Sequence, residues 1–457
     1  MNQPISIKPF KKGELQKSFK KVRWTYYGQV SEIVGTIIEA LLPNSALGSI
    51  VEIECGDNKR IRAEVVGFRK SKVLLLPYSQ ISGVAPGCSI HPKKIFSHIP
   101  VGDHLLGHVV DAFLQPISEG GFETPENAMQ YDIDREPPNP MSRNRIEKIL
   151  GLGIRAIDGL LTFGQGQRIG IMAGSGVGKS VLIGMISQNS EADVNVIALI
   201  GERGREVREF IERDLGPEGL KNSVVVSVTS DQSPLMRIRG AKVATAIAEY
   251  FSDQGKNVML ILDSLTRVAM AQREIGNAIG EPPTTKGYTP SVFSLLPKLL
   301  ERAGPQKKGM GTISGIYTVL VDGDDFNDPI ADSVRSILDG HINLSRDLAA
   351  KGHFPAIEVE TSASRVMNDI TSQEHQSLAR KVKELLSTYR ENFDIVQMGV
   401  YQEGSNPLLD QAIQAMPFIN QFLKQAKGDI SQLKHILDQM NRAINCLPIF
   451  NVEPINE

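Results

Sequence analysis

The chain has 457 residues, with 50 basic and 52 acidic side chains giving a formal charge of −2, 41% apolar residues and 22% charged ones. That length exceeds what one hydrophobic core serves, so two or three domains are expected, and the near-neutral balance excludes a global electrostatic draw to nucleic acid or to an acidic membrane. Cys55, Cys88 and Cys446 form no disulfide or zinc spacing and read as small buried hydrophobes in a reducing compartment, and no apolar run reaches the roughly 18 residues of a membrane-spanning helix.

Residues 1–26 form a basic segment. Seven Lys or Arg stand against the single acid Glu14 before residue 26, with Leu15, Phe19 and Val22 at helical spacings. Two readings stay open: a solvated terminus, or a short amphipathic helix that docks a partner or a membrane surface. The segment lacks the long apolar run and cleavage site of a secretory signal, so a cytoplasmic protein is expected.

From Tyr27 the pattern changes to period two. Val51-Glu52-Ile53-Glu54-Cys55 alternates, Gly56-Asp57-Asn58 turns, and Arg60 to Val65 alternates again, which predicts a small β-barrel. This stretch lacks basic residues interleaved with aromatics, so no nucleic-acid partner is expected. Glu136-Pro137-Pro138-Asn139-Pro140 is stiff and extended and is taken as the lead-in to the main domain. Beyond it, Arg168–Ala173, Val194–Ile200, Val224–Val228, Val258–Leu262 and Ile313–Leu320 are apolar β-type runs separated by helical segments. That order predicts an α/β domain with a mostly parallel sheet covered on both faces. Residues 274–286 read as a loop, facing either a central channel or open solvent. After about Glu374 the chain becomes helical, as in Leu378–Tyr389 and Leu408–Lys427.

The strand Arg168–Ala173 runs into Ala173-Gly174-Ser175-Gly176-Val177-Gly178-Lys179-Ser180 and then the helix-compatible Val181-Leu182-Ile183. Strand, glycine-rich loop and helix form the setting of a P-loop. Its backbone N–H groups converge on a phosphate at the positive end of a helix. Lys179 places an ammonium on the β- and γ-phosphates of ATP, and Ser180 offers a hydroxyl to Mg²⁺. Gly174, Ser175, Gly176, Val177, Gly178, Lys179, Ser180 and Val181 are the expected nucleotide contacts. Ala173 stands where the usual pattern has its first glycine, and the three glycines that follow supply the freedom a turn needs.

Asn257–Asp263 is an apolar strand that ends in a carboxylate, the Walker B arrangement, which makes Asp263 the second Mg²⁺ ligand. Val194–Ile200 delivers Gly201-Glu202-Arg203-Gly204-Arg205-Glu206. A carboxylate at a strand's C-terminal end, near a bound γ-phosphate, can polarise the attacking water, and Glu202 is assigned that role with Arg203 counted beside it as catalytic. The competing reading is a surface ion-pair network among Glu202, Arg203, Arg205 and Glu206. The eight histidines show no metal-ligand spacing and are read as structural.

GERGREVREFIE, LILDSLTRVAMAQREI, GEPPTTKGYTPSVFSLLPKLLERAG, DPIADSVRSILDGHINLSRDLA and GHFPAIEVETSASR resemble the catalytic-subunit family of rotary ATPases. Among these, they are most similar to the flagellar and type III export ATPases, over about Tyr27 to Leu423. The resemblance implies a β-barrel at 27–95, a RecA-type P-loop ATPase domain at 96–375 and a C-terminal helical domain at 376–457. It implies a hexameric ring of identical subunits in which Glu202 activates water and Arg365 reaches into the neighbour's site. It places the adenine-pocket aromatic at Phe354, with Tyr401 the other candidate wall, and puts Thr289 where a second proline is common. Implied partners are a stator-like regulator at the N-terminal segment, a coiled-coil central stalk, export chaperones with their cargo, and a membrane export gate where the ATPase associates peripherally. A virulence-secretion ATPase and, less fittingly, a rotary synthase subunit are the alternatives within the family.

Overall fold

The computed structural model describes residues 27–56, 59–92, 97–117, 121–321 and 328–449, so the basic segment 1–26 lies outside the described residues. The chain divides into two compact units at residues 96/97.

The first unit is a closed six-stranded barrel. Strands β1 (Gly28–Val34), β2 (Ile37–Leu41), β3 (Ile50–Glu54), β4 (Arg60–Arg69), β5 (Lys72–Pro77) and β6 (Ser89–Pro92) close in the order β1-β2-β5-β4-β3-β6. The period-two pattern explains it: Val51, Ile53, Ile61, Ala63 and Val65 turn inward with Val73, Leu75 and Ile90, while the alternating charges stay outside. Cys55 is buried there as expected, but Cys88 and Cys446 are only half-buried, and all three are free thiols.

The second unit carries two sheets. A small one pairs β7 (His98–Val101) with β9 (Met129–Asp132). The large one contains β8 (Val109–Val110), β10 (Arg168–Ala173), β11 (Val194–Glu202), β12 (Ser223–Thr229), β13 (Asn257–Asp263), β14 (Gly304–Pro305), β15 (Thr312–Leu320), β16 (Gly340–Leu344) and β17 (Ile357–Ser364). Its order is β17-β16-β10-β15-β13-β11-β12-β8, with β14 on β15. All these pairings are parallel except β16–β17 and β14–β15. The central strands are mostly apolar and buried along nearly their whole length because helices cover both faces.

The lead-in assigned to the prolines needs correction. Edge strand β8 pairs with β12 upstream of Glu136–Pro140, so the sheet has already begun when the prolines arrive. They lead instead into a short turn, Pro140–Ser142, in which the N–H of Met141 donates to the Asn139 side chain. The loop expected at 274–286 is likewise shorter. The helix Leu265–Ile279 takes its first six residues and stops at Gly280, whose φ of 89° suits a left-handed cap.

Helices Gln373–Glu391, Pro407–Leu423 and Leu433–Ile444 pack on one another through Val382, Leu385, Ala412, Ile419, Ile436 and Met440. The same core continues into Leu152, Ile157, Leu160 and Phe163 and on to the P-loop helix. The helical region thus shares one continuous core with the nucleotide domain. Buried Arg155 strengthens the seam, donating from Nε to the carbonyl of Phe422, while Gln425 bridges Arg155 N and Gly153 O.

Candidate active site

Four neighbouring strands, β10, β15, β13 and β11, end at one edge of the sheet, and each supplies a group there. The C-terminal edge of a parallel sheet is where ligands bind, because strand ends and helix starts leave backbone donors unsatisfied.

From β10 the chain turns through Gly174–Gly178 into the helix Lys179–Asn189. Gly176 and Gly178 have φ of 80° and 88°. A Cβ on Gly178 would also lie 3.3 Å from the Phe354 ring, which would have to give way, so the positive φ and the close approach both favour glycine. Ala173 costs nothing, because it is the last residue of β10, extended, with its carbonyl taken by Val321 N. Val177 anchors the loop from below at 2% exposure, while Ser175, Ser180 and Val181 face outward.

Lys179 is the hub. Its ammonium donates to Asp263 Oδ1 and stands 3.5 Å from Glu202 Oε1. Asp263, 4% exposed, also accepts from Thr318 Oγ1 at 2.7 Å. The buried carboxylate of Asp263 and the outward hydroxyl of Ser180 are hard oxygen donors that fit Mg²⁺. Phosphate binding would draw the ammonium from the Asp263 and Glu202 carboxylates and leave Asp263 to a divalent cation and Glu202 without its cation.

Glu202 reaches this cluster because of its neighbour. The β11–β12 register slips between Ile200 and Glu202, and Gly201 is the extra residue, at φ 72°. A Cβ on Gly201 would lie 2.8 Å from Arg267 Cβ, so any other side chain collides. The bulge resets the alternation at the strand end and leaves Glu202 beside Lys179. Burial pushes its carboxyl up to about 7, against the pull of Lys179 and with help from the negative Asp263.

Arg203 stands apart, 80% exposed and 3.6 Å from Glu206, and so does the rest of the charged GER helix, where Arg205 pairs with Glu209. Of the surface network read from the sequence, the Arg203–Glu206 pair holds, whereas Arg205 turns to Glu209, and Glu202 keeps a side-chain hydrogen bond to Glu206 while standing beside Lys179. Phe354, 45% exposed, lies against the P-loop at Gly178. Tyr401 gives its hydroxyl to Asp410 Oδ1 at 2.7 Å and to Asn406 O at 3.1 Å, and also accepts from Asn406 N, which ties it into the turn before helix Pro407–Leu423.

Arg365 follows β17 directly, and its N–H donates to Asp339 O, next to Arg168 at the start of β10. The P-loop follows the other end of β10, five residue steps or roughly 17 Å away. Arg365 therefore lies at the opposite edge from its own chain's Lys179, and its side chain donates to Arg335 O at 3.2 Å.

Thr318 was not visible in the sequence as a site residue. Its signal was weak: a hydroxyl near the end of the otherwise apolar run Ile313–Leu320, informative only once β15 is known to lie next to β13.

A glycine loop between strand and helix, and a lysine bridging two carboxylates, one of them the buried aspartate that ends the next strand but one, define a P-loop ATPase. Residues 153–364 match the ATP synthase alpha/beta family, nucleotide-binding domain; residues 30–93 match the beta-barrel domain of that family, and 371–442 the T3SS EscN ATPase C-terminal domain. The chain is 53% identical to a flagellum-specific ATP synthase of Bacillus subtilis, over 92% of this chain and 94% of that one. It also resembles the assembled ATPase EscN of the enteropathogenic E. coli type III secretion system at TM-score 0.86 and 46% identity, covering 91% of this chain and 100% of that one. EscN in complex with its central stalk EscO gives TM-score 0.84 at 45% identity, with the same coverage. The chain belongs to the family of flagellum-specific ATP synthases and type III secretion ATPases.

Proposed function

We propose that this chain hydrolyses Mg-ATP at the boundaries between identical subunits of a six-membered ring and uses the energy to deliver or unfold proteins for flagellar export. The observation that carries the reading is the split of the machinery across the sheet. Lys179, Glu202 and Asp263 converge at one edge, whereas Arg365 lies at the other, about 17 Å off and out of reach of its own nucleotide site. A ring brings the second edge of one copy against the first edge of the next.

In this reading the backbone of Gly174–Gly178 and the ammonium of Lys179 hold the phosphates, and Phe354 offers the adenine a ring face, with Tyr401 as a second wall. Ser180 and Asp263 hold Mg²⁺, which neutralises charge on the β- and γ-phosphates. Glu202, ionised, takes the proton of the attacking water, and Arg203 screens Glu206, the carboxylate that hydrogen-bonds Glu202. A neighbour's Arg365 spreads the charge of the transferring phosphoryl group, a contribution on the order of 10³–10⁵ in rate.

Stalk-bound EscN supports a coiled-coil partner in the ring's centre, and the 1–26 segment is assigned to a stator-like regulator. Chaperoned cargo and a membrane gate complete the partners, with no nucleic acid among them. No helix among the described residues is long and apolar enough to cross a membrane, in keeping with a cytoplasmic protein held peripherally at the export apparatus. The flagellar assignment draws support from the 53% identity to the Bacillus subtilis relative, against 46% to EscN.

The test is complementation by mixing. Glu202→Gln and Arg365→Ala are each expected to be inactive alone and partly active together, because some boundaries then pair an intact site with an intact arginine. Mixtures that stay as inactive as their components would overturn the shared site.

A further inference from the structure

A cleft of about 190 Å³ opens beside β17, lined on its polar side by Ser362, Ser364, Asn368, Gln376, Arg380 and Lys383. It belongs to the edge of the sheet opposite the P-loop, and no nucleotide-site residue lines it. Its charge is one-sided: two cations and no carboxylate. Arg380 and Lys383 stand three residues apart on helix Gln373–Glu391, the spacing that places side chains on one face.

The serine hydroxyls of this wall are already spent, Ser362 on Glu358 O and Ser364 on Thr162 O. The cations are not. Among the described residues Lys383 has no hydrogen-bond acceptor and no carboxylate partner, whereas Lys381, two positions earlier, pairs with Glu384 at 2.9 Å. Arg380 uses only Nε, on Gln376 O at 3.4 Å. Burial alone lowers the pKa of Lys383, with nothing opposing it. An ammonium drawn from water without an anion is held at a cost, which an arriving anion would remove.

We propose that this cleft is a phosphate-binding site, in which Lys383 and Arg380 supply charge-assisted donors and Asn368 an amide, and whose ligand is inorganic phosphate or the phosphate of a nucleotide. Bidentate guanidinium contact suits such an oxyanion, and the volume leaves room for bridging waters. Ser362 and Ser364 immediately precede Arg365, so occupancy braces the segment that carries it. That consequence rests on the function proposed for Arg365, while phosphate binding itself does not.

The experiment is calorimetric titration of the full chain with inorganic phosphate at constant ionic strength, with the P-loop filled by one equivalent of a non-hydrolysable ATP analogue and Mg²⁺. One saturable site per chain is expected, weakened at least about tenfold in Lys383→Met or Arg380→Gln and kept in Lys383→Arg and Lys381→Met. Lys383→Met without phosphate is expected to melt no lower than the parent, because it removes a desolvated charge. Competition from a second equivalent of the analogue identifies a nucleotide phosphate as the ligand, and its absence identifies free phosphate. No saturable heat in the parent chain, or equal affinity in Lys383→Met and parent, overturns the site.

Discussion

In the role proposed for it, Glu202 combines two demands on one carboxyl group: it would have to be ionised to accept a proton from water, yet it sits where burial favours its neutral form. The raised value, about 7, places the acidic limb of kcat/KM near neutrality, with activity rising as pH climbs through that limb. Glu202→Gln is expected to lower kcat by about 10²–10⁴-fold and to erase the limb from the residual rate, as a pH series on both proteins would read. Stability moves the opposite way. Between about 4.5 and about 7 the folded chain holds a proton on Glu202 that the unfolded chain releases, so this group's contribution falls as pH rises across that window, and the glutamine variant should lose that slope in denaturant titrations. Lys179, Asp263 and Glu202 were legible as residues because each closes a local motif. That one ammonium serves both carboxylates was not, because Lys179 and Asp263 are 84 positions apart.

Among elements, the connection β9 and its continuation are fastened by charge. Arg302 binds Glu249 bidentately at 2.8 Å for both bonds and donates to Ile133 O at 2.6 Å, with both side chains under 8% exposed. Arg135 joins from 2.9 Å to Asp253, which also takes the hydroxyl of Tyr131. The network ties residues 131–135 to helix Pro234–Asp253 and to the end of helix Pro290–Leu300. Arg302→Met leaves a buried carboxylate behind and is expected to cost about 3–5 kcal/mol in urea denaturation, whereas Arg302→Met with Glu249→Leu should recover most of it. A single variant as stable as the parent would show the pair to be dispensable. The five central strands could be read from their apolar runs to within two residues at either end. The pairing of β8 with β12 could not, since a two-residue strand carries no periodicity.

At the scale of the whole molecule, the edge that holds Lys179 and the edge that holds Arg365 cannot meet within one chain. Specific ATPase activity should therefore climb steeply with protein concentration, by up to on the order of 10³-fold between dilute chains and assembled rings. Activity measured beside light scattering over that range would check it, and a constant rate per chain would contradict it.

The sequence by itself determined the class of domains and most of the chemistry. Alternation makes a barrel, apolar runs between helices make a buried parallel sheet, and glycines before Lys179 make a phosphate cradle, all of them consequences of neighbours along the chain. Only the tertiary structure decided what depends on distant segments meeting. It set Thr318 against Asp263, let Gly201 turn Glu202 toward Lys179 under the packed Arg267, gathered Arg380 and Lys383 around a cleft without an acid, and placed Arg365 across the sheet from the P-loop. Periodicity fixes which face a residue takes, but strand order and register fix which residues share an edge, and those are settled by packing.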